Sequence, residues 1–82
     1  LPKGKVACYI LDMLNKKYKK CLIERFGIEN FDYNDIISSY DIIGRKRGCL
    51  ISGGVVDYDK VSNLIIKDLR EGRIGRITFD EV

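Results

Sequence analysis

The sequence contains no histidine, no tryptophan and a single proline, and its three cysteines form no CxxC pair. The cysteines, Cys8, Cys21 and Cys49, are too few to hold zinc when no histidine can complete the ligand set. We interpret them as free thiols that pack as small apolar side chains in a reducing cytoplasm. The sequence therefore predicts no metal site.

Long apolar stretches are absent as well. No segment approaches the roughly 18 apolar residues that a membrane span needs, and the longest apolar run, Val6–Leu11, is too short for the core of a signal peptide. We expect a soluble, cytoplasmic protein with no membrane partner. Because the chain begins with Leu1 instead of methionine, we also expect it to be excised from a longer protein.

The composition is that of one globular domain spanning residues 1–82, with 45% hydrophobic and 33% charged residues. A disordered tail would contain too few apolar residues to offset the entropy lost on ordering. The net charge of +3 is modest and does not by itself indicate a polyanionic partner, so the distribution of the charges matters more than their sum.

Apolar residues recur at three- and four-residue spacing in the first part of the chain, which predicts two helices. The first runs from Lys5 to about Lys17, and the second runs from Lys19 to Phe26 with Leu22 and Ile23 facing inward. Gly27 can adopt the left-handed conformation that ends a helix. The two helices are either continuous or kinked near Tyr18.

A third helix is predicted after a turn-prone segment, with Asn34 as its cap. Its end is ambiguous: the helix stops at Gly44, or it tolerates that glycine and continues through Arg47 to Gly48. The apolar residues assigned to it are Ile36, Ile37, Tyr40, Ile42 and Ile43.

The segment from Cys49 to Val56 is predicted to be a loop because it contains Ser52-Gly53-Gly54. Asp57 then caps the clearest helix of the chain, Tyr58–Glu71, which Gly72 closes. Beyond it, Ile77 and Phe79 alternate with polar residues, as in an extended segment. The predicted fold is all-α: a small bundle of four to five helices with an extended C-terminal tail.

Catalytic motifs are missing from this chain. A P-loop requires lysine and then serine or threonine after its last glycine, whereas Gly48 is followed by Cys49 and Leu50. Asp57 and Asp59 do not continue into a calcium loop, because the sixth and twelfth positions lack the required glycine and glutamate. With no nucleophile beside a base, we predict no catalytic residue and no autonomous enzyme activity.

Three consecutive cations, Arg45, Lys46 and Arg47, stand between Gly44 and Gly48. Cations at the end of a helix are favourable by roughly 0.3–1 kcal/mol each because they oppose its dipole, so this cluster has an adequate structural explanation. Guanidinium groups are also well suited to phosphate. Near the end of the last helix and beyond it, a second basic group follows, containing Lys67, Arg70, Arg73 and Arg76.

Several sequence motifs then suggest a relationship to a known family. The unbroken segment from Ser39 to Leu50, followed by Ser52-Gly53-Gly54, by Val56–Val61 and by Gly75–Phe79, resembles the C-terminal domain of the ribosome biogenesis GTPase A family. The stretch from Leu11 to Gly27 is similar to the opening helices of that domain, so the resemblance covers nearly the whole chain.

This resemblance implies a function. In that family a circularly permuted GTPase domain precedes a helical C-terminal domain, which itself resembles the RNA-binding module of transcription antitermination regulators. It implies an accessory domain that contacts ribosomal RNA during late assembly of the large, 50S, ribosomal subunit. No cofactor is expected in this chain, and GTP and magnesium are expected in the missing N-terminal GTPase domain.

The resemblance also implies a partner for the basic residues, namely the phosphate groups of ribosomal RNA. We therefore predict Arg45, Lys46 and Arg47 as primary contacts to ribosomal RNA and Arg70, Arg73 and Arg76 as secondary ones. Ribosomal proteins are further candidate partners. A rival hypothesis is a protein-docking domain that packs on its own GTPase domain, or on a ribosomal protein, through an apolar patch of Ile74, Ile77 and Phe79.

A sequence-specific helix-turn-helix is less favoured. About a dozen residues separate the last two predicted helices, whereas that motif uses a turn of about three or four.

Overall fold

The computed structural model describes residues 2–75. Within them the chain forms four α-helices: α1 (Lys3–Lys17), α2 (Lys19–Phe26), α3 (Ile36–Arg47) and α4 (Tyr58–Arg70). The prediction of a mostly helical bundle is confirmed. The predicted tail, with Arg76, Ile77 and Phe79, lies outside the described residues.

Helix boundaries follow the local signals at most positions. Tyr18 leaves the helical region with φ −134° and thereby separates α1 from α2. Gly27 and Gly48 end α2 and α3 in the left-handed conformation, with φ 71° and 72°, which costs glycine little because it has no Cβ. Helix α3 thus passes through Gly44 and continues to Arg47.

The predicted cap of the third helix is wrong. Asn34 does not cap it; the side chain of Asp32 accepts a hydrogen bond from the backbone N–H of Asn34 at 2.9 Å and opens a short 3₁₀ turn, Tyr33–Asp35, ahead of α3. Asp57, by contrast, caps α4 as predicted, since its carboxylate accepts the backbone N–H of Lys60 at 3.3 Å.

The segment predicted to be a loop contains a β-hairpin. Strand β1 (Leu50–Ile51) pairs antiparallel with β2 (Val55–Val56), and Gly53 and Gly54 turn the chain with φ 89° and 76°. The loop prediction rested on the glycines, which do form a turn. The β-branched residues beside them favour strands. The connection between α3 and α4 is therefore an ordered hairpin.

The core lies where α1 packs along α4, with α2 and α3 closing the remaining sides. Some apolar residues of the helices face solvent. Ile23, predicted to point inward, is 43% exposed, and Ile37 is 55% exposed. The largest fully buried side chains include Leu11, Leu14, Leu22, Phe26, Ile28, Ile43, Val61 and Ile65.

Side-chain hydrogen bonds connect segments that are distant in sequence. The Asn15 amide donates to the carbonyl of Phe31 at 3.2 Å and accepts the backbone N–H of Phe31 at 3.1 Å, which fixes the segment before α3 to α1. The buried hydroxyls of Tyr40 and Ser62 lie 2.8 Å apart and join α3 to α4. Burial raises the pKa of Tyr40 to about 12, partly opposed by its hydrogen bond with Ser62.

Gly44 sets the distance between α3 and the hairpin. A Cβ placed on this buried glycine would lie 2.5 Å from Cγ1 of Val56 and 3.1 Å from its Cγ2. Carbon atoms normally approach to about 3.5–4.0 Å. The glycine is thus retained inside a helix, where it is otherwise unfavourable, because the Val56 side chain occupies the place of its missing methyl group.

We predict that Gly44→Ala destabilises the domain. The added methyl group must displace Val56 and the hairpin, so the free energy of unfolding should fall by about 1–3 kcal/mol, measured by urea unfolding followed by circular dichroism. Gly4→Ala is the matched control, because a Cβ at Gly4 meets no atom within 4 Å and alanine favours a helix. Equal or higher stability of Gly44→Ala would contradict the packing role of Gly44.

Candidate nucleic-acid interface

The carboxyl ends of α2, α3 and α4 meet around a buried carboxylate, Asp68. Its Oδ2 accepts a hydrogen bond from Nε of Arg25 at 2.8 Å and lies 3.5 Å from Nη1 of Arg47. The Asp68 side chain is only 2% exposed, whereas those of Arg25 and Arg47 are 26% and 24% exposed. One carboxylate from α4 therefore links the last turns of α2 and α3.

This arrangement gives the three residues of the predicted basic triplet different environments. The guanidinium of Arg47 is half-buried and is directed toward Asp68, so much of its charge is offset inside the domain. Because consecutive residues of an α-helix differ by about 100° around the axis, Arg45 and Lys46 face other directions. Both are exposed, and neither forms an ion pair with another described residue.

Lys46 extends beside the end of α2. A Cβ placed on Gly27 would lie 3.1 Å from Nζ of Lys46 and 3.4 Å from its Cδ, so the lysine stem passes over this glycine. The ammonium group stands near the carbonyl end of α2, where the helix dipole favours a positive charge. Lys46 is consequently positioned by a neighbouring helix while it stays open to solvent.

Arg45 lies on the side of α3 that faces the start of α4. The hydroxyl of Tyr58 donates to Oδ1 of Asp41 at 3.0 Å, and this hydrogen bond raises the pKa of Tyr58, while the nearby Arg45 acts in the opposite direction. Arg45 and Lys46 therefore present two positive charges on different sides of the end of α3.

The second predicted group is only partly brought to the same place. The backbone N–H of Arg73 donates to the carbonyl of Asp68 at 2.9 Å, but its guanidinium pairs with the carboxylate of Glu71 at 3.0 Å. Arg70 is exposed and has no ion-pair partner among the described residues. Arg76 lies outside the described part of the chain.

The roles of Arg25 and Asp68 were not predicted from the sequence. A signal was available, because Asp68 follows Val61 and Ile65 at helical spacing and so falls on the buried face of α4. A carboxylate in such a place requires cationic or hydrogen-bonding partners. The spacing could not show that those partners come from α2 and α3.

Neither metal binding nor thiol chemistry is indicated elsewhere in residues 2–75. This part of the chain contains no group of three histidine, cysteine or acidic side chains able to hold a metal ion. Its cysteines are free, as predicted, and burial raises the pKa of the Cys8 and Cys49 thiols. Among the described helices, none has the length and apolar character needed to cross a bilayer.

We predict that Asp68→Asn has opposite effects on stability and on polyanion binding. Loss of the buried charge weakens the contacts to Arg25 and Arg47, which should lower the free energy of unfolding by about 1–3 kcal/mol. The two arginines then turn outward, so the folded variant should elute from heparin at higher salt than the original chain.

Asp12→Asn is the matched control for this prediction. It removes the same charge, but Asp12 pairs with Lys16, whose side chain is 70% exposed, and exposed pairs contribute little to stability because water and salt screen them. Equal urea midpoints and equal heparin elution for the two variants would refute the special role of Asp68.

Comparison with known proteins identifies relatives that are named ribosome biogenesis GTPase A. No family profile matches the chain. A ribosome biogenesis GTPase A from Bacillus cereus is 43% identical over 75 residues, which cover 92% of the chain and 25% of that protein. The proteins of the same name from Priestia megaterium and Bacillus pumilus are 41% and 40% identical over 76 residues, which cover 93% of the chain and 26% and 27% of those proteins.

The chain thus spans about a quarter of the length of these relatives. The matched quarter is their C-terminal part. The resemblance inferred from the sequence is thereby confirmed: the chain is homologous to the C-terminal part of proteins named ribosome biogenesis GTPase A.

Proposed function

We propose that this chain is the ribosomal-RNA-contacting accessory domain of a GTP-binding protein that acts in assembly of the large ribosomal subunit. The observation that carries this proposal is the pair of unneutralised cations, Arg45 and Lys46, exposed at the end of α3 in a homologue of proteins named for ribosome biogenesis. Such a protein works in the cytoplasm, where precursor subunits assemble.

Electrostatics supports a polyanionic partner at this end of the domain. Asp68 has its negative charge balanced by Arg25 and Arg47, so it does not offset Arg45 or Lys46. Each cation that contacts a phosphate releases condensed counterions, which makes affinity fall with salt. Arg45 offers a planar fork for phosphate oxygens, while Lys46 acts as a compact point charge.

Catalysis is assigned to a different part of the protein. The described residues contain no P-loop and no catalytic constellation, so GTP and magnesium would be held by the region that corresponds to the rest of the relatives' length. In this proposal the domain delivers that GTPase to its RNA site.

We predict that Arg45→Ala/Lys46→Ala weakens binding to a stem-loop of large-subunit ribosomal RNA without loss of helicity. The slope of log affinity against log salt should become shallower by about one unit per lost contact, measured by fluorescence anisotropy between about 50 and 200 mM salt. Both side chains are exposed, so the fold should be retained.

Lys16→Ala/Lys20→Ala is the control of equal charge. These lysines flank the junction of α1 and α2, whereas Lys46 lies beyond the other end of α2. An equal change of slope in both double variants would show a nonspecific effect of net charge and would overturn the assignment of Arg45 and Lys46.

A second candidate function is protein docking, and a specific observation favours it. An apolar groove of about 720 Å³ lies between the beginnings of α1, α3 and α4. The residues first predicted for docking do not form it: Ile74 is buried, and Ile77 and Phe79 lie outside the described residues. The groove is lined instead by Pro2, Tyr33, Ile36, Ile37, Tyr40 and Tyr58, among others.

This alternative predicts that the groove binds the preceding GTPase region of the same protein. Ile37→Ser should then weaken association with the corresponding region of the Bacillus cereus relative, supplied as a separate polypeptide, by about tenfold. Because the contact is apolar, the affinity should change little with salt. Unchanged association, measured by isothermal titration calorimetry, would rule out the groove as that docking surface.

A further inference from the structure

A second cationic surface lies on the outer side of α4, away from Asp68. Asn63, Ile66, Lys67 and Arg70 follow one another at helical spacing and form one wall of a cleft of about 430 Å³. Lys3, in the first turn of α1, faces this wall, and Glu71 completes the lining. The packing of α1 against α4 thus brings together cations from opposite ends of the described chain.

The cleft has an excess of positive charge. Lys3, Lys67 and Arg70 are exposed, and none of them forms an ion pair with another described residue. Glu71 is the one acidic residue in the lining, and its carboxylate already pairs with Arg73 at 3.0 Å. The three cations therefore remain available to an external anion.

The dipole of α4 favours the positions of only two of these three cations. Lys67 and Arg70 lie in the last turn of α4, where a positive charge is favourable. Lys3 occupies the first turn of α1, which contains no acidic residue, and a positive charge is unfavourable at that end of a helix. A bound anion would offset this unfavourable placement and would also be attracted by Lys67 and Arg70.

We propose that this cleft binds a backbone phosphate of the same RNA, so that the domain contacts RNA on two sides of α4. The proposal rests on the proposed function. Arg70 supplies a guanidinium fork, Lys3 and Lys67 supply ammonium groups, and the Asn63 amide supplies a neutral donor. Lys67 and Arg70 belong to the second basic group of the sequence, and the fold adds Lys3 and Asn63 to them.

The cleft is distinct from the surface at the end of α3. Lys67 and Asp68 are consecutive residues of one helix and point about 100° apart. Asp68 faces α2 and α3 through Arg25 and Arg47, whereas Lys67 faces Lys3 across the cleft.

The test compares three variants of the full 82-residue chain on the same ribosomal RNA stem-loop. The cleft variant, Lys3→Gln/Lys67→Gln/Arg70→Gln, removes the three cleft cations. Its control of equal charge loss is Lys5→Gln/Lys16→Gln/Lys20→Gln. The third variant, Arg45→Gln/Lys46→Gln, removes the cations of α3. Circular dichroism verifies that each variant is folded. The cleft variant should reduce the salt slope by about two units, at roughly 0.7–0.9 per lost phosphate contact.

Amide chemical shifts distinguish the possible outcomes. RNA titration should shift the signals of residues 3, 63, 67 and 70 in the original chain, and these shifts should disappear in the cleft variant. RNA binding with shifts confined to residues 45–48 would overturn the cleft and leave the proposed function standing. A cleft that responds to RNA while the Arg45→Gln/Lys46→Gln variant binds normally would support the cleft and refute the assignment at α3.

Inorganic phosphate is the second probe, because a phosphate group could come from a free anion or from RNA. Saturable shifts at the cleft with phosphate, without any response to RNA, would overturn RNA as the source. Absence of RNA binding by the original chain would refute the proposed function and, with it, the RNA contact proposed for the cleft.

Discussion

The ion pairs of Asp68 with Arg25 and Arg47 constrain the arrangement of three helices. Removing a carboxylate from water is costly unless charged hydrogen-bond partners replace the water. Here the partners come from α2 and α3, so the buried charge is tolerated only when all three helix ends are in place. Among the described residues, no buried side-chain nitrogen or oxygen atom lacks a hydrogen-bond partner, which fits such a fully compensated site.

This constraint also decides which cations are available for binding. The carbonyl ends of α2, α3 and α4 attract positive charge through their dipoles, and Arg25 and Arg47 serve the fold by neutralising Asp68. Arg45 and Lys46 have no such internal partner among the described residues. A polyanion can therefore contact Arg45 and Lys46, whereas Arg25 and Arg47 are already paired with Asp68 inside the domain.

Two surfaces of the domain differ in chemical character. The beginnings of α1, α3 and α4 surround an apolar groove containing Tyr33 and Ile37, whereas the carboxyl ends of α2, α3 and α4 carry basic side chains. In the proposed function, the basic surface contacts RNA while the groove is available to a protein surface. Such a division suits an accessory domain that connects an RNA site to another part of the same protein.

The sequence by itself determined the helices and several of their ends. Apolar spacing predicted α1, α2 and α4, and Gly27, Asp57 and Gly48 act at helix ends through local backbone chemistry. These signals depend on neighbouring residues, so they can be read without a fold. The free state of Cys8, Cys21 and Cys49, which is seen among the described residues, was likewise predictable from their spacing.

Only the tertiary structure decided the roles that depend on distant contacts. Gly44 remains inside α3 because Val56 occupies the space of its missing methyl group. That contact joins α3 to a hairpin in the segment that the sequence predicts to be a loop. The sequence shows the basic triplet as three consecutive cations. Which of them is paired inside the domain depends on the position of Asp68, which contacts Arg47 and leaves Arg45 and Lys46 exposed. Local spacing predicts which side of a helix is buried, whereas the position of a charge relative to other helices exists only after the helices have packed.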